Sequence, residues 1–216
     1  MSRLNIYCII FALIIASGNL DAQNINPRAS FQVNIGLPVN TTNKAFKGIM
    51  QGLVNGSTHF QYTLDNTLCF GLGVNYSYFT LNEFKVSEKI KGGLQMGSLF
   101  AKVGQEKFHT SNFGTDIGIK AGYNFSVFNS DSLTSQGNRN EISRNFYIEP
   151  QVGIMLTMDE NTSIKLAVGY VFQDFGFSPS LMGLSSNNGF DSANFNKITQ
   201  YLTIGFGYTH YFKTRK

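Results

Sequence analysis

The final strand-like stretch of the chain, Tyr201–Phe212, alternates bulky residues with small ones. One parity of the stretch carries Leu202, Ile204, Phe206, Tyr208, His210 and Phe212. The other parity consists of threonines, two glycines and two tyrosines. Successive side chains of a β-strand point to opposite faces, and a strand half exposed to water alternates apolar with polar residues. The stretch therefore predicts a strand whose bulky face does not meet water and whose other face meets a crowded space.

Seven further runs alternate in the same way, and most exceed the mean strand of about five or six residues in globular proteins. A tilted strand that crosses a membrane needs about nine to eleven residues. The eight runs are Ala29–Leu37, Ile49–Leu64, Leu68–Leu81, Gln95–Glu106, Phe113–Val127, Phe146–Met158, Ser163–Gln173 and Ile198–Phe212.

The connections between the runs alternate between short and long, which is typical of an antiparallel up-and-down meander. The short connections are turn-rich, as at Asp65-Asn66, His109–Asn112 and Asp159–Thr162. The long connections are polar and span Pro38–Gly48, Asn82–Leu94, Asn129–Asn145 and Gly176–Lys197. In outer-membrane barrels the short turns face the periplasm and the long loops face outward, which here leaves both ends of the meander on the periplasmic side.

Composition supports a surface that faces lipid. Charged residues make up 14% of the chain and aromatic residues another 14%, whereas a typical soluble domain has about 25% charged residues. The net charge is only +4, and no stripe of lysine and arginine indicates a nucleic-acid partner. We predict an all-β fold, an eight-stranded antiparallel up-and-down transmembrane β-barrel, with a soluble lipocalin-like binding barrel as the architectural alternative.

The first residues are typical of an export signal. Arg3 precedes a short apolar run over residues 6–16, which is the pattern of a secretory signal peptide. We predict that residues 1–22 are removed, with cleavage after Gly18 as the competing site. Residues 23–216 then form the outer-membrane β-barrel domain.

Aromatic residues fall near both ends of the predicted strands, where membrane proteins place their interfacial girdles. The predicted girdles comprise Tyr76, Tyr78, Tyr123, Phe125, Phe146, Tyr170 and Phe172 at the extracellular ends and Phe60, Tyr62, Tyr208 and Phe212 at the periplasmic ends.

The inward parity carries the charged residues of the strands. The predicted lumen cluster comprises Lys102, Glu106, Asp116, Lys120, Glu149, Lys165 and His59. Gln51 falls on the same parity. Charges in a narrow lumen must pair, because an isolated buried charge is costly. We expect Lys102 near Asp116 or Lys120, and Glu149 near Lys120 and Lys165. The cluster then forms either an ion-pair plug or a narrow polar conduit.

No residue pattern indicates catalysis, a metal or a cofactor. Small barrels that are enzymes carry histidine with serine or acidic partners toward the extracellular half. Here His59 lies low on its strand, His109 lies in a short turn, and His210 lies near the periplasmic end. We therefore predict a non-enzymatic protein without a metal or cofactor. The long loops are the remaining functional candidates.

The loop over residues 176–196 carries apolar residues among serine and asparagine, namely Leu181, Met182, Leu184, Phe190 and Phe195. Exposed apolar groups can mark a binding surface, and they can equally fold over the barrel mouth. A protein or surface partner at the loops is thus one of two interpretations.

These patterns together resemble the small eight-stranded outer-membrane barrels of diderm (Gram-negative) bacteria, such as the transmembrane domain of OmpA and OmpX. The junction at residues 22–23 and the strand "YIEPQVGIML" also resemble PorT-like barrels of the Bacteroidota. The resemblance covers about residues 25–212. It implies an integral outer-membrane protein surrounded by lipid, with a structural, adhesive or interaction role. The alternatives are a narrow solute channel and an accessory of protein secretion.

The resemblance also implies that the barrel-assembly machinery reads a terminal aromatic residue. In this chain that residue is Phe212, although Lys213–Lys216 follow it.

Overall fold

The computed structural model describes residues 28–86, 90–137, 140–184, 189–195 and 198–212. The predicted signal peptide lies outside the described residues. Eight antiparallel strands close into a barrel in sequence order, and β1 pairs with both β2 and β8. The strands are β1 Arg28–Asn40, β2 Met50–Thr63, β3 Leu68–Leu81, β4 Gly92–Phe108, β5 Phe113–Ser130, β6 Glu141–Asp159, β7 Thr162–Gly176 and β8 Ile198–Tyr211.

The predicted fold class and all eight strands are confirmed, and five strands extend further than the alternation indicates. β1 continues to Asn40, β5 to Ser130 and β7 to Gly176, while β4 begins at Gly92 and β6 begins at Glu141. The alternating pattern fades in these extensions, because backbone pairing continues there beyond the bulky outward residues. Closure between β1 and β8 runs from Ser30 opposite Tyr211 to Asn40 opposite Tyr201, so neither strand keeps an unpaired edge.

The barrel has two different ends. At the turn end, residues 64–67, 109–112 and 160–161 connect the strands, and Thr67 donates its backbone N–H to Leu64 O at 3.0 Å. At the loop end lie the long connections and two short helices, α1 Lys44–Ile49 and α2 Asp131–Ser135. The 3₁₀ turns Pro179–Met182 and Ser192–Asn194 also lie there. None of the helices within the described ranges is long and apolar enough to cross a membrane.

Helix α1 folds into the barrel mouth rather than away from it. The side chain of Asn43 caps the helix by accepting a hydrogen bond from the backbone N–H of Phe46 at 3.1 Å. The helix buries Ala45, Phe46 and Ile49 completely. Six residues form a helix too short to be stable alone, so its buried face is what holds it in place.

A β-bulge in β2 corrects one predicted side-chain direction. The register with β3 shifts between Gly52 and Val54, and a bulge inserts one extra residue into the strand. Beyond it the alternation inverts, so Met50 is buried and Gln51 is exposed. The assignment of Gln51 to the lumen is therefore wrong.

Candidate functional site in the barrel interior

A closed ring of hydrogen bonds crosses the lumen on the side of the turn end. Asp116 on β5 is completely buried and accepts hydrogen bonds from Lys102 Nζ at 2.8 and 2.9 Å. It also accepts one from Lys165 Nζ at 2.8 Å. The two lysines stand on β4 and β7, so this carboxylate joins opposite sides of the barrel. Two cations on one carboxylate form the strong, charge-assisted kind of hydrogen bond.

Two glutamines complete the ring through Glu106. Lys102 Nζ donates to Gln61 Oε1 at 2.7 Å, and Gln61 Nε2 donates to Glu106 Oε2 at 2.7 Å. Lys165 Nζ donates to Gln32 Oε1 at 2.7 Å, and Gln32 Nε2 reaches Glu106 Oε2 at 3.4 Å. Each amide thus accepts from a lysine and donates to the same carboxylate. The ring contains two cations and two carboxylates, which suits a dry interior.

A second ion pair lies nearer the middle of the barrel. Lys120 Nζ lies 3.3 Å from Glu149 Oε1, and the hydroxyl of Tyr147 donates to the other carboxylate oxygen. The ammonium group also sits 5.2 Å from the ring centroid of Phe100, a cation–π distance. We call the ring and this pair together the charged layer, comprising Lys102, Glu106, Asp116, Lys120, Glu149, Lys165, Gln32 and Gln61.

The expected contact between Glu149 and Lys165 does not form. Lys165 instead reaches across β6 to Asp116, because Gly153 on β6 has no side chain in its path. A Cβ atom at Gly153 would lie 2.7 Å from Cδ of Lys165. Gly118 makes room for Lys102 in the same way, with the added Cβ 3.2 Å from Cε of that lysine. Small inward residues thus provide the space that the long ones occupy.

His59 lies beside the charged layer and is buried, with 1% of its surface exposed. Its ring packs edge-on against Phe100 at a centroid distance of 5.8 Å. Neither ring nitrogen finds a hydrogen-bond partner in the part of the chain that the structure describes. His109 bonds Thr115 at the turn end at 3.0 Å, so the described histidines form no common site. Among all the residues that the structure describes, no group of three or more His, Cys, Asp or Glu side chains is placed to hold a metal ion.

The loop end of the lumen holds a cluster of aromatic residues, next to buried polar side chains such as Ser77, Asn124 and Gln173. Phe46 packs against Phe79 and Phe177 at centroid distances of 5.1 and 5.3 Å. Phe79 also packs edge-on against Tyr201 at 5.2 Å, and Phe128 lies 6.2 Å from Phe177. We call these five residues the aromatic cap. Phe79, Phe128 and Tyr201 all stand on inward strand positions near the loop end, which is the sequence signal for the cap.

The loop after β7 closes over this cap. Met182 is completely buried and Leu184 nearly so, while Leu181, Phe190 and Phe195 pack partly against the same core. Ser130 Oγ donates to the carbonyl of Met182 at 2.6 Å and fixes the loop on β5. Of the two interpretations of this loop, the one in which it folds over the mouth is therefore observed for the described part.

The aromatic residues predicted for the girdles lie on the outside of the barrel. Tyr78 and Tyr170 are half-buried, and the Tyr170 hydroxyl bonds Thr41 and Gln200 at 2.9 Å each. The exposed members are Tyr76, Tyr123, Phe125, Phe146, Phe172, Phe60, Tyr62, Tyr208 and Phe212. The backbone N–H of Phe212 donates to Ala29 O at 2.8 Å, so the terminal aromatic residue is fixed beside β1.

No protein-family model and no curated protein sequence matches the chain. Solved structures match its fold at low sequence identity. The crystal structure of Neisserial surface protein A is 11% identical with a TM-score of 0.51, and the match covers 89% of this chain and 100% of that one. A major outer membrane protein from Thermus thermophilus is 13% identical with a TM-score of 0.53, covering 85% of this chain and 99% of that one.

The chain therefore has the fold of the small eight-stranded outer-membrane β-barrels. Its exterior is that of an integral membrane barrel, because aliphatic residues such as Leu72, Val152 and Ile164 are exposed along it. A lipocalin-like barrel would carry polar residues there. The resemblance to small outer-membrane barrels is thus confirmed, and the PorT-like subtype stays a prediction.

Proposed function

We propose that the protein is a sealed, non-enzymatic barrel of the outer membrane that acts through its loop end. The observation that carries this proposal is an apolar exterior around an interior filled by two layers. The charged layer and the aromatic cap both cross the lumen. A cleft beside Lys120 and Glu149 has a volume of about 20 Å³, which is enough for about one water molecule.

The loop end is where a partner has access to polar and apolar groups outside the membrane. Phe84, in the connection after β3, exposes 99% of its surface, and an exposed aromatic side chain is a typical anchor of a protein interface. This exposure supports a structural, adhesive or interaction role, with a protein or surface partner at the loops. The narrow-channel and secretion-accessory alternatives find no supporting feature in the described part of the interior.

Export and assembly complete the proposal. Residues 1–22 act as the export signal, and Phe212 acts as the aromatic assembly signal. The support for Phe212 is its position at the end of the closing strand, next to β1, where an assembly factor would meet the last strand pair.

Membrane insertion is tested by expressing the full chain and fractionating the membranes. We expect the protein in the outer-membrane fraction, resistant to alkaline extraction, with faster gel migration in unboiled samples than in boiled ones. A soluble, extractable monomer with the same migration in both samples would contradict the proposal.

The interaction role is tested by pull-down from intact membranes, with the Phe84→Ala variant compared with the Lys91→Ala variant. Equal capture by both variants would remove Phe84 as its anchor.

A further inference from the structure

The outer surface of the barrel is uneven around its circumference. One row of outward residues runs across the strands, and each residue of the row pairs with the next one on the neighbouring strand. Along this row, residues with a bulky side chain alternate with glycines. In order from β1 to β5, the row comprises Ile35, Gly56, Tyr76, Gly97 and Phe125. From Ile35 in the opposite direction, each strand contributes a bulky residue, namely Phe206 on β8, Leu166 on β7 and Ile154 on β6.

The two glycines leave a groove of about 540 Å³ on this side of the barrel. Its outer walls are apolar and are formed by Val33, Ile35, Val74, Tyr76, Leu99 and Phe125. A Cβ atom added at Gly97 would meet nothing within 4 Å, and one at Gly56 would approach only Asn34 O at 3.9 Å. These glycines are therefore not required by close backbone packing, and their absent side chains are what open the groove.

A cation stands at the rim of the groove. Arg144 on β6 pairs with Phe125 and so continues the same row. Its guanidinium carbon lies 5.9 Å from the Phe125 ring centroid, and its side chain is exposed. The neighbouring row toward the turn end carries Tyr123 and Phe146 with ring centroids 5.5 Å apart. Aromatic belts sit at the level of lipid headgroups, so the guanidinium lies where lipid phosphates are found.

We propose that this groove binds an anionic, phosphate-bearing membrane lipid, with an acyl chain in the groove and the phosphate on Arg144. Guanidinium groups bind phosphate through paired, charge-assisted hydrogen bonds. The apolar walls suit an acyl chain and offer it few polar atoms. This inference rests on the membrane insertion proposed above.

Charge favours a lipid over a second copy of the chain. A two-fold dimer uses the same surface on both subunits. A dimer built on this groove would bring two Arg144 side chains into one apolar interface, where like charges are unfavourable. An anionic lipid instead neutralises the single guanidinium group.

The test uses native mass spectrometry of the refolded full chain, with phosphatidylglycerol or phosphatidylcholine supplied in equal amounts. Gly97→Leu fills the groove, and Ala101→Leu adds the same side chain four residues along the same outward face. Arg144→Gln removes the rim charge, and Arg28→Gln removes an arginine at the turn end that also lies over an aromatic ring, 5.6 Å from the Tyr211 centroid.

We expect the unaltered protein to retain phosphatidylglycerol in preference to phosphatidylcholine. Arg144→Gln should weaken phosphatidylglycerol binding about tenfold, the loss of one contact to a charged group, while Arg28→Gln leaves it unchanged. Gly97→Leu should weaken binding of both lipids, and Ala101→Leu should not. Gly56→Leu fills the groove from the neighbouring strand and gives the same result if Gly97→Leu does not fold.

Equal lipid retention by Gly97→Leu and Ala101→Leu would overturn the groove as the site. Equal effects of the two arginine substitutions would overturn the phosphate contact. Dimers that disappear with Gly97→Leu while lipid binding persists would assign the groove to a second copy instead. Each variant is first checked for heat-modifiable migration, so failure to form a membrane barrel is seen separately from failure to bind lipid.

Discussion

The charged layer and the aromatic cap fill the same lumen by different means. Side chains from five strands form the ring in the charged layer, and directional hydrogen bonds to Asp116 and Glu106 fix their positions. The cap takes Phe46 and Phe177 from segments outside the strands and packs them by aromatic contacts. The charged layer is therefore part of the barrel wall, whereas Phe46 and Phe177 can separate from the strand residues of the cap. Damage to the first should destabilise the whole barrel, and damage to the second should open one end.

The largest effect is expected from Asp116→Ala. The substitution leaves Lys102 and Lys165 buried without their shared carboxylate, and breaking a buried ion pair costs about 3–5 kcal/mol. We expect the free energy of unfolding to fall by that amount in urea titrations in lipid vesicles, followed by far-UV circular dichroism. The matched control is Asp174→Asn, an exposed acid on β7, which should change stability by less than about 0.5 kcal/mol. Equal losses for both would refute the ring as a stabilising element.

Phe46→Ala should release helix α1 from the strand residues of the cap. Truncation of a buried phenylalanine costs about 3–5 kcal/mol, but the loss here falls on docking of α1. We expect faster amide hydrogen exchange over residues 41–49 with little change in the strands. Phe84→Ala removes the same atoms from an exposed position and should leave exchange unchanged. Uniformly faster exchange in all strands of Phe46→Ala would show that docking of α1 cannot be separated from the stability of the barrel.

Gly153→Val tests whether the path of Lys165 depends on the missing side chain. The added Cβ would lie 2.7 Å from Cδ of the lysine, and overpacking of a filled interior costs about 1–3 kcal/mol. Gly97→Val, which meets nothing within 4 Å at its Cβ, should cost nothing measurable in the same urea titration. A neutral Gly153→Val would mean that Lys165 reaches Asp116 by another route.

Lys120→Gln should have the smallest effect of the four. The ammonium group is 3.3 Å from Glu149, and that carboxylate keeps its hydrogen bond from Tyr147. We expect a loss of about 1 kcal/mol, near the value of a single hydrogen bond, compared with the larger loss in Asp116→Ala. A loss as large as that of Asp116→Ala would show that the two ion pairs act as one unit.

The alternation of the sequence could predict the strands, because a period of two directly reports which face each residue occupies. It placed Asp116 and Lys102 on one face and near each other. It could not predict the partner of Lys165, since that contact depends on the missing side chain of Gly153. This glycine lies on β6, between Lys165 on β7 and Asp116 on β5. Gln51 was misplaced because a bulge inverts the alternation without a clear signal in the residues themselves.

The cap was missed for a different reason. Phe79, Phe128 and Tyr201 stand on the inward parity, but the glycines and serines beside them made that face look small and polar. Phe46 and Phe177 lie in connections, where no period indicates that a residue will fold back into the barrel. The outer groove was also hidden, because it appears only when the register places Gly56 and Gly97 in one row with Tyr76 between them.

Single-channel recording in planar bilayers tests the sealed interior most directly. The unaltered barrel should show at most rare, small openings, because the charged layer and the cap both cross the lumen. Phe46→Ala should conduct little more, since the charged layer still closes the barrel below the cap. Stable openings of porin size in the unaltered protein would contradict the account of a filled and closed lumen.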